Sequence, residues 1–276
     1  MGTEQTLMVG LAAAVAATLG SMLGLGGGVF MVPLFTLYLG VEPALAVGAT
    51  AVAVVANSVV GSRKHLGNGF VNVRLALLLE ITAIIGAVTG AVIATRIRAD
   101  YLKILLGIVL IYAAVSMFMN RRDQHRQVDD STPDPWDLMA RYTDPASNQI
   151  ITYMPEKVPL GMAVGTFAGL LSGLLGIGGG IVKGPTMDVV MKMPLKASAG
   201  TATMMVGITG VATALVFYRS GNIDLQVAVP AVLGVFLGSS LGAHLTSRIN
   251  ASKLVVLFFA ILTFLGISMI WSGIGA

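Results

Sequence analysis

The sequence predicts an all-α polytopic membrane protein made of two inverted repeats, each with a re-entrant glycine-tipped hairpin and three transmembrane helices. Three observations lead there: an apolar composition, a repeat at a constant offset, and a glycine run inside each of two long apolar segments. Hydrophobic residues make up 55% of the chain and charged residues 11%, with a mean hydropathy of +0.86. Because a soluble domain carries about 25% charged residues, this composition indicates a chain embedded in a lipid bilayer.

The apolar segments give the predicted helices in order. They cover residues 5–40, 44–61, 72–95, 101–119, 158–191, 198–217, 226–246 and 253–272. Most are close to the roughly 20 residues that a spanning helix needs, and they lack the alternating pattern of a membrane β-barrel. Segments 5–40 and 158–191 are too long for one crossing, and these two contain the glycine runs. No basic region or cleavage site is evident at the start, so we expect no signal peptide.

The second half of the chain repeats the first at an offset of 152 residues, without a gap. The sequence LGLGGG at 23–28 corresponds to LGIGGG at 175–180, and GAVTGA at 86–91 corresponds to GSSLGA at 238–243. The spaced glycines of the second pair are expected to allow close helix packing. Internal repeats of this kind are typical of secondary transporters.

The distribution of Lys and Arg favours hairpins over single crossings for the two long segments. If each long segment returns to the side on which it entered, the loops at 61–74, 120–157, 192–196 and 247–253 share one side and hold 12 basic residues. The opposite side then holds 4, a bias that fits the positive-inside rule. Each half would cross the membrane three times, so the halves would be inverted. Both termini are predicted outside (periplasmic) in a cell inner membrane.

The predicted organisation is a first repeat at 1–119, a polar linker at 120–157 and a second repeat at 158–276. The linker has mixed charges and several prolines. We expect it to be a cytoplasmic loop with one short helix.

The glycine runs are expected to bind an anion. A helix begins after each run, and its first turn exposes unpaired N–H groups with a partial positive charge. Glycine lets a ligand approach the backbone closely, so such a tip suits an oxyanion. The predicted substrate contacts at the tips are Gly26, Gly27, Gly28, Val29, Gly178, Gly179, Gly180 and Ile181.

Two charged residues lie inside predicted membrane segments. Lys183 corresponds to Met31 in the first repeat, and it is expected to attract the anion, to reach a water-filled vestibule, or to pair with a carboxylate. Glu80 corresponds to Val232. It is expected to carry a proton in coupled transport, to pair with Lys183, or to be a neutral structural carboxyl.

Uncharged polar residues on the spans after the hairpins offer further donors. They are Thr50, Asn57, Ser198, Thr201, Thr203 and Thr209. Four of them are predicted to contact substrate, namely Thr50, Asn57, Thr201 and Thr203. The alternative for all six is that they hold helices together by hydrogen bonds.

Several other functions are not supported by the sequence. GGGIVKGP lacks the Gly-Lys-Ser/Thr run of a phosphate-binding loop, and GLLSG at 169–173 lacks a convincing histidine partner for a protease. There is no cysteine and no cluster with metal-ligand spacing. Basic residues lie in loops, which argues against nucleic acid. The chain is therefore predicted to be no enzyme and to use no cofactor.

The paired stretches LGLGGGVFMVP and LGIGGGIVKGP resemble the signature of the sulfite exporter TauE/SafE family of anion transporters, also called TSUP. The resemblance covers both halves apart from the linker. It implies a secondary transporter, without ATP, for sulfur-containing anions such as sulfite, thiosulfate or organosulfonates. Lys183 and Gly184 stand where the first signature has Met31 and Val32, which counts against a symmetric mode of binding.

The sequence thus predicts a permease that moves a sulfur-containing oxyanion by alternating access, with proton or sodium coupling as an option and Glu80 as the proton carrier. Its predicted partners are a small anionic substrate and the lipid bilayer. The alternatives are an anion channel and a membrane protein or accessory subunit without transport activity. The identity of the anion, the direction of transport and the oligomeric state stay open.

Overall fold

The computed structural model describes residues 3–23, 26–119, 133–144, 148–246 and 251–275. Their helices are α1 (Thr3–Leu23), α2 (Gly28–Pro33), α3 (Pro43–Gly67), α4 (Val73–Ala94), α5 (Ala99–Met119), α6 (Val158–Leu175), α7 (Gly180–Pro185), α8 (Leu195–Arg219), α9 (Leu225–Thr246) and α10 (Ala251–Ile274). Helices α2 and α7 continue as π-helical turns, Leu34–Tyr38 and Thr186–Val190. Eight of the described helices are long and apolar enough to cross a membrane, α1 and α6 among them.

Each long apolar segment is divided into two helices at its glycine run, as predicted. In the first segment the chain turns back after α1, since Gly27 lies against Ala16 and Ala17. In the second segment Gly179 lies against Ala168 and Ser172 of α6. Ala168 and Gly179 are the repeat counterparts of Ala16 and Gly27, so the two segments turn in the same way.

The second segment also returns to the place where it begins. The amide of Glu156, just before α6, donates a hydrogen bond of 3.0 Å to the carbonyl of Met191, just after the π-helical turn. The side chains of Glu156 and Lys192 form an ion pair of 2.8 Å nearby. These contacts close the hairpin at its base. They support the predicted hairpin, while its re-entry into a membrane stays a prediction.

Spaced glycines bring helices of different repeats into close contact. Gly86 and Gly90 of α4 lie against the backbone of α6, and their counterparts Gly238 and Gly242 of α9 lie against α1. The packing role predicted for these glycines is confirmed, because each approaches a backbone carbonyl where a side chain would clash.

Helices α3 and α8 cross at the centre and run antiparallel. Gly48, near the start of α3, lies against Asn222 after α8, whereas Gly200, near the start of α8, lies against Phe70 after α3. Helices α5 and α10 also run antiparallel, with Gly107 beside Gly266. Counterpart helices of an inverted repeat must run in opposite directions. The contacts therefore support the predicted inversion.

Within its described residues the linker forms two strands where we expected a short helix. Strands β1 (Ala140–Thr143) and β2 (Ile150–Tyr153) pair antiparallel. Tyr142 contacts Phe70, with ring centroids 5.1 Å apart, and Tyr153 is 1% exposed. The hairpin is stable because its aromatic residues are buried against the ends of the helices. Residues 120–132 and 145–147 of the linker lie outside the described residues.

Asn72 joins three elements at this end of the molecule. Its side chain accepts a hydrogen bond of 3.1 Å from the amide of Leu75, which caps α4, and donates one of 2.8 Å to the carbonyl of Leu138 in the linker. Its own amide donates to the hydroxyl of Thr201 on α8 at 3.0 Å. These bonds hold the linker against α4 and α8.

Candidate functional site

The two glycine tips have the same unusual backbone conformation. The φ angles are 81° at Gly26 and 74° at Gly27, and they are 74° at Gly178 and 73° at Gly179. Side chains disfavour this left-handed region by about 1–2 kcal/mol, so glycine is the residue that fits. The breaks in the two repeats therefore have one physical cause at matching positions.

Each tip leaves amide groups without a hydrogen-bond acceptor. The carbonyl of Gly27 accepts from the amides of Phe30 and Met31, at 3.1 and 3.2 Å, and the carbonyl of Gly179 accepts from Val182 and Lys183 at 3.1 and 3.0 Å. The two preceding amides in each repeat are those of Gly28, Val29, Gly180 and Ile181. They have no acceptor among the described residues, and all four residues are buried. Buried, unpaired amides at the start of a helix are suited to an anion.

The two tips meet at the centre of the molecule. A methyl group added to Gly28 would lie 2.9 Å from the Cα atom of Ile177 in the other tip. Val54 of α3 and its counterpart Val206 of α8 lie against both Gly26 and Gly178. The convergence that the repeat predicted is present, and valine side chains fill the space at the meeting point in this conformation.

Thr50 and Asn57 lie beside the tips, as predicted. The methyl group of Thr50 faces Gly28, and its buried hydroxyl has no hydrogen-bond partner among the described residues. The amide nitrogen of Asn57 lies near Gly26, and its oxygen accepts a hydrogen bond from Ser239 of α9.

Thr201 and Thr203 have partners elsewhere. The hydroxyl of Thr201 accepts from the amide of Asn72, and that of Thr203 donates to the carbonyl of Ala199 at 2.8 Å. These contacts match the alternative that such residues hold helices together, and neither hydroxyl is hydrogen-bonded to a described residue of the tips.

Glu80, Lys183 and Thr209 form a buried polar cluster next to the second tip. The ammonium group of Lys183 forms an ion pair with Glu80 and a hydrogen bond with the hydroxyl of Thr209. That hydroxyl lies 3.0 Å from each carboxyl oxygen of Glu80. The side chains of Lys183 and Glu80 are 1% and 2% exposed. Among the alternative roles given above for Glu80 and Lys183, these contacts match the one in which the two residues pair with each other.

The pair is close to the glycine tip because Thr209 follows Val206 by about one helical turn. Three residues of an α-helix rise about 4.5 Å, and Val206 touches Gly178. The counterpart of Thr209 is Asn57, which has the neutral partner Ser239. The two flanks of the centre therefore differ: one carries a charge pair, and the other is uncharged.

Two residues beside the centre were not among the predicted contacts. Ser172 lies in the last turn of α6, just before the second tip. Its buried hydroxyl has no hydrogen-bond partner within the described part of the chain, and its Cβ atom lies against Gly179. Ser239 was not singled out, because serine is common in membrane helices that pack closely. The repeat alignment does set Ser172 apart, because the matching position in the first repeat holds a glycine, Gly20.

The described residues contain no group of three His, Cys, Asp or Glu side chains placed to hold a metal ion. Thus the polar groups gathered at the centre are amides, hydroxyls and one charge pair. This set can hydrogen-bond and neutralise an anion.

Comparison with known proteins identifies the family. Residues 9–269 match the family described as Sulfite exporter TauE/SafE. The chain belongs to the TauE/SafE family. This TauE/SafE protein is 30% identical over 274 residues to a probable membrane transporter protein of Xylella fastidiosa (strain 9a5c), covering 98% of this chain and 97% of the relative. No solved structure matched the chain.

More distant relatives have the same kind of name. The probable membrane transporter protein YunE of Bacillus subtilis (strain 168) is 23% identical over 267 residues, or 94% of this chain and 95% of its own. A probable membrane transporter protein of Methanocaldococcus jannaschii is 24% identical over 271 residues, or 93% of this chain and 92% of its own. The TauE/SafE protein described here is therefore a multi-pass membrane transporter.

Proposed function

We propose that this protein is a secondary transporter for a sulfur-containing oxyanion such as sulfite, thiosulfate or an organosulfonate. The observation that carries the proposal is the pair of converging glycine tips, whose four buried first-turn amides have no acceptor among the described residues. The family description adds support, because it names a sulfite exporter.

The transport cycle in this proposal is alternating access. Val54 and Val206 occupy the point where the tips meet, so an anion can bind there only when the two repeats shift relative to each other. Such movement of one repeat against the other, around a site at the repeat interface, is the geometry of inverted-repeat transporters. The hydroxyls of Thr50 and Ser172, buried without partners, would then serve as additional donors.

Lys183 assists this site only indirectly in the conformation observed, because Glu80 already balances its charge. The amides and hydroxyls are therefore the first contacts proposed for the anion. Glu80 is proposed as the coupling residue.

The orientation proposed is a cytoplasmic linker and periplasmic termini in a cell inner membrane. Its support is the excess of Lys and Arg on the linker side. The chain has no cysteine, so single cysteines introduced at the exposed residues Glu4 and Trp136 can be labelled selectively. A membrane-impermeant maleimide should label Glu4→Cys in intact cells and Trp136→Cys only after permeabilisation.

Transport itself is tested with purified protein in proteoliposomes. Radiolabelled sulfite, thiosulfate and methanesulfonate are offered outside vesicles preloaded with the unlabelled anion. A transporter gives saturable uptake and counterflow for at least one of them. Weakly saturating flux without counterflow would indicate a channel, and no substrate-dependent flux would indicate a protein without transport activity.

Replacing Thr50 by valine should weaken anion binding without lowering stability. The change keeps the shape of the side chain and removes a buried hydroxyl that has no partner in the structure. A hydrogen bond to a charged group is worth about 1.5–3 kcal/mol, so the apparent Kd should rise about 10- to 100-fold. Binding is measured by thermal shift over an anion titration, and the melting temperature without anion should stay the same or rise.

The matched control is Thr213→Val. Thr213 is also fully buried, but its hydroxyl is bonded to the carbonyl of Thr209 within its own helix. Its replacement should leave the Kd unchanged. Equal affinities for Thr50→Val and the unmodified protein would remove Thr50 from the binding site.

A further inference from the structure

The charge pair joins Glu80 of the first repeat to Lys183 of the second repeat, and the symmetry-related positions carry no charge. The positions that match Lys183 and Glu80 are occupied by Met31 and Val232. The first repeat nevertheless forms the same glycine break and the same short helix, α2, with Met31 fully buried. The fold of a hairpin therefore does not require the pair. Burying two charges is costly even when they are matched, so their presence at only one of the two symmetry-related places points to a task.

We infer that Glu80 and Lys183 form a charge-exchange pair: the transported anion replaces the Glu80 carboxylate at the Lys183 ammonium group, and Glu80 takes up one proton. This inference rests on the proposed function and adds to it a coupling ion, a stoichiometry and the residue that exchanges. One proton would move with each monoanion. In the reverse step Glu80 releases its proton, returns to Lys183 and displaces the anion.

The charge balance in the buried site explains the stoichiometry. The pair without anion sums to zero, because one ammonium faces one carboxylate. A monoanion entering alone would leave one uncompensated negative charge where the side chains are 1% and 2% exposed. Uptake of one proton by Glu80 restores neutrality. Burying a charge without a counter-charge is unfavourable enough to drive this uptake.

Thr209 gives the protonated carboxyl a partner. In the pair its oxygen accepts from Lys183, and its own proton can go to the carbonyl of Met205, which lies 2.8 Å away. When Lys183 turns to the anion, the oxygen of Thr209 is free to accept from the protonated carboxyl, 3.0 Å away. Neither form of Glu80 is then left as an unpaired polar group in the core.

Few other ionisable groups surround Glu80. Helix α6, packed along α4, carries none between Val158 and Leu175, and helix α8 carries Lys196 and Arg219 near its two ends. Asp188, in the second hairpin, is also a buried carboxyl. Arg74, at the start of α4, pairs with Asp137 in the linker. Lys183 is the charged group that the structure places in contact with Glu80 among the described residues.

The inference is tested by counting the protons bound together with the anion. Methanesulfonate and thiosulfate are suitable probes, because their charges stay fixed across the neutral pH range. Titration calorimetry of the purified full-length protein in buffers of different ionisation enthalpy gives the number of protons taken up for each anion bound. For the unmodified protein we expect about one proton for methanesulfonate, with affinity falling about tenfold for each unit of rising pH.

Three variants complete the test. Glu80→Gln should bring proton uptake and the pH dependence of affinity to zero, while Asp188→Asn should leave both unchanged. The double variant Glu80→Val with Lys183→Met copies the uncharged residues at the symmetry-related positions, so it should fold and show at least tenfold weaker anion binding. Its folding is checked by its melting temperature and its elution profile.

The outcomes separate this inference from the proposed function. Anion counterflow in proteoliposomes with no proton uptake by the unmodified protein overturns the exchange and leaves the transporter standing. Proton uptake that persists in Glu80→Gln, or that disappears in Asp188→Asn, also overturns the exchange. Absence of counterflow for every anion of the panel overturns the transport proposal, and the exchange with it.

Discussion

Replacing Gly178 by alanine should remove most of the correctly folded protein. The φ angle of Gly178 is 74°, a conformation that costs a residue with a side chain about 1–2 kcal/mol. The new methyl group would also lie 2.5 Å from Val206 and 2.9 Å from Val54. Overpacking of this kind adds about 1–3 kcal/mol. We expect a large fall in melting temperature and loss of the monodisperse elution peak in detergent.

Gly184→Ala, in the short helix α7 that follows this tip, is the matched control. An added methyl group at Gly184 meets no atom within 4 Å, and its φ is not positive. Alanine is favoured over glycine inside a helix by about 0.5–1 kcal/mol, so the melting temperature should stay the same or rise.

The combination of Gly178→Ala with Val206→Ala separates the cost of backbone strain at Gly178 from the cost of overpacking. It removes the closer of the two contacts and leaves the backbone strain, so it should recover part of the loss. If Gly178→Ala and Gly184→Ala had the same effect on the melting temperature, the close packing described where the two tips meet would be contradicted.

The glycine breaks could be predicted because their cause is local. Three consecutive glycines in an apolar segment weaken a helix wherever they occur, and the repeat offset placed two such runs at matching positions. The spaced glycines of α4 and α9 were predictable for the same reason, since small residues permit close approach. Local chemistry and the internal repeat thus gave the helices, their breaks and their contacts.

The choice among the roles of Glu80 and Lys183 could not be made from the sequence. The two residues are 103 positions apart, and whether they touch depends on how α4 packs against the second hairpin. Thr209 was one of six polar residues with no feature to distinguish it until the structure placed its hydroxyl against both the Lys183 ammonium and the Glu80 carboxyl.

The linker hairpin was missed because its strands are short. Only four residues form each strand, and no long alternating pattern is present. Their stability comes from burying Tyr142 and Tyr153 against the helix ends. A contact with a distant surface of this kind leaves no periodic pattern in the strand itself.

Breaking the charge pair on one side should be among the most damaging changes in the chain. Lys183→Met leaves the Glu80 carboxyl buried, with Thr209 as its remaining described partner. Removing one member of a buried ion pair costs about 3–5 kcal/mol, because the other charge loses its counterpart. We expect a much lower melting temperature in detergent. The loss should be smaller at low pH, since protonation of the carboxyl removes the uncompensated charge.

Adding Glu80→Val to Lys183→Met should restore most of that stability. The double variant has the residue types that the chain already has at the symmetry-related positions Met31 and Val232, and replacing a buried pair by apolar side chains is often neutral or stabilising. The melting temperatures of the two single variants and the double variant form a thermodynamic cycle with a large coupling energy. If the double variant lost as much stability as the two single variants added together, the pair would be needed for the fold. The argument for a transport role from its absence at the symmetry-related positions would then fail.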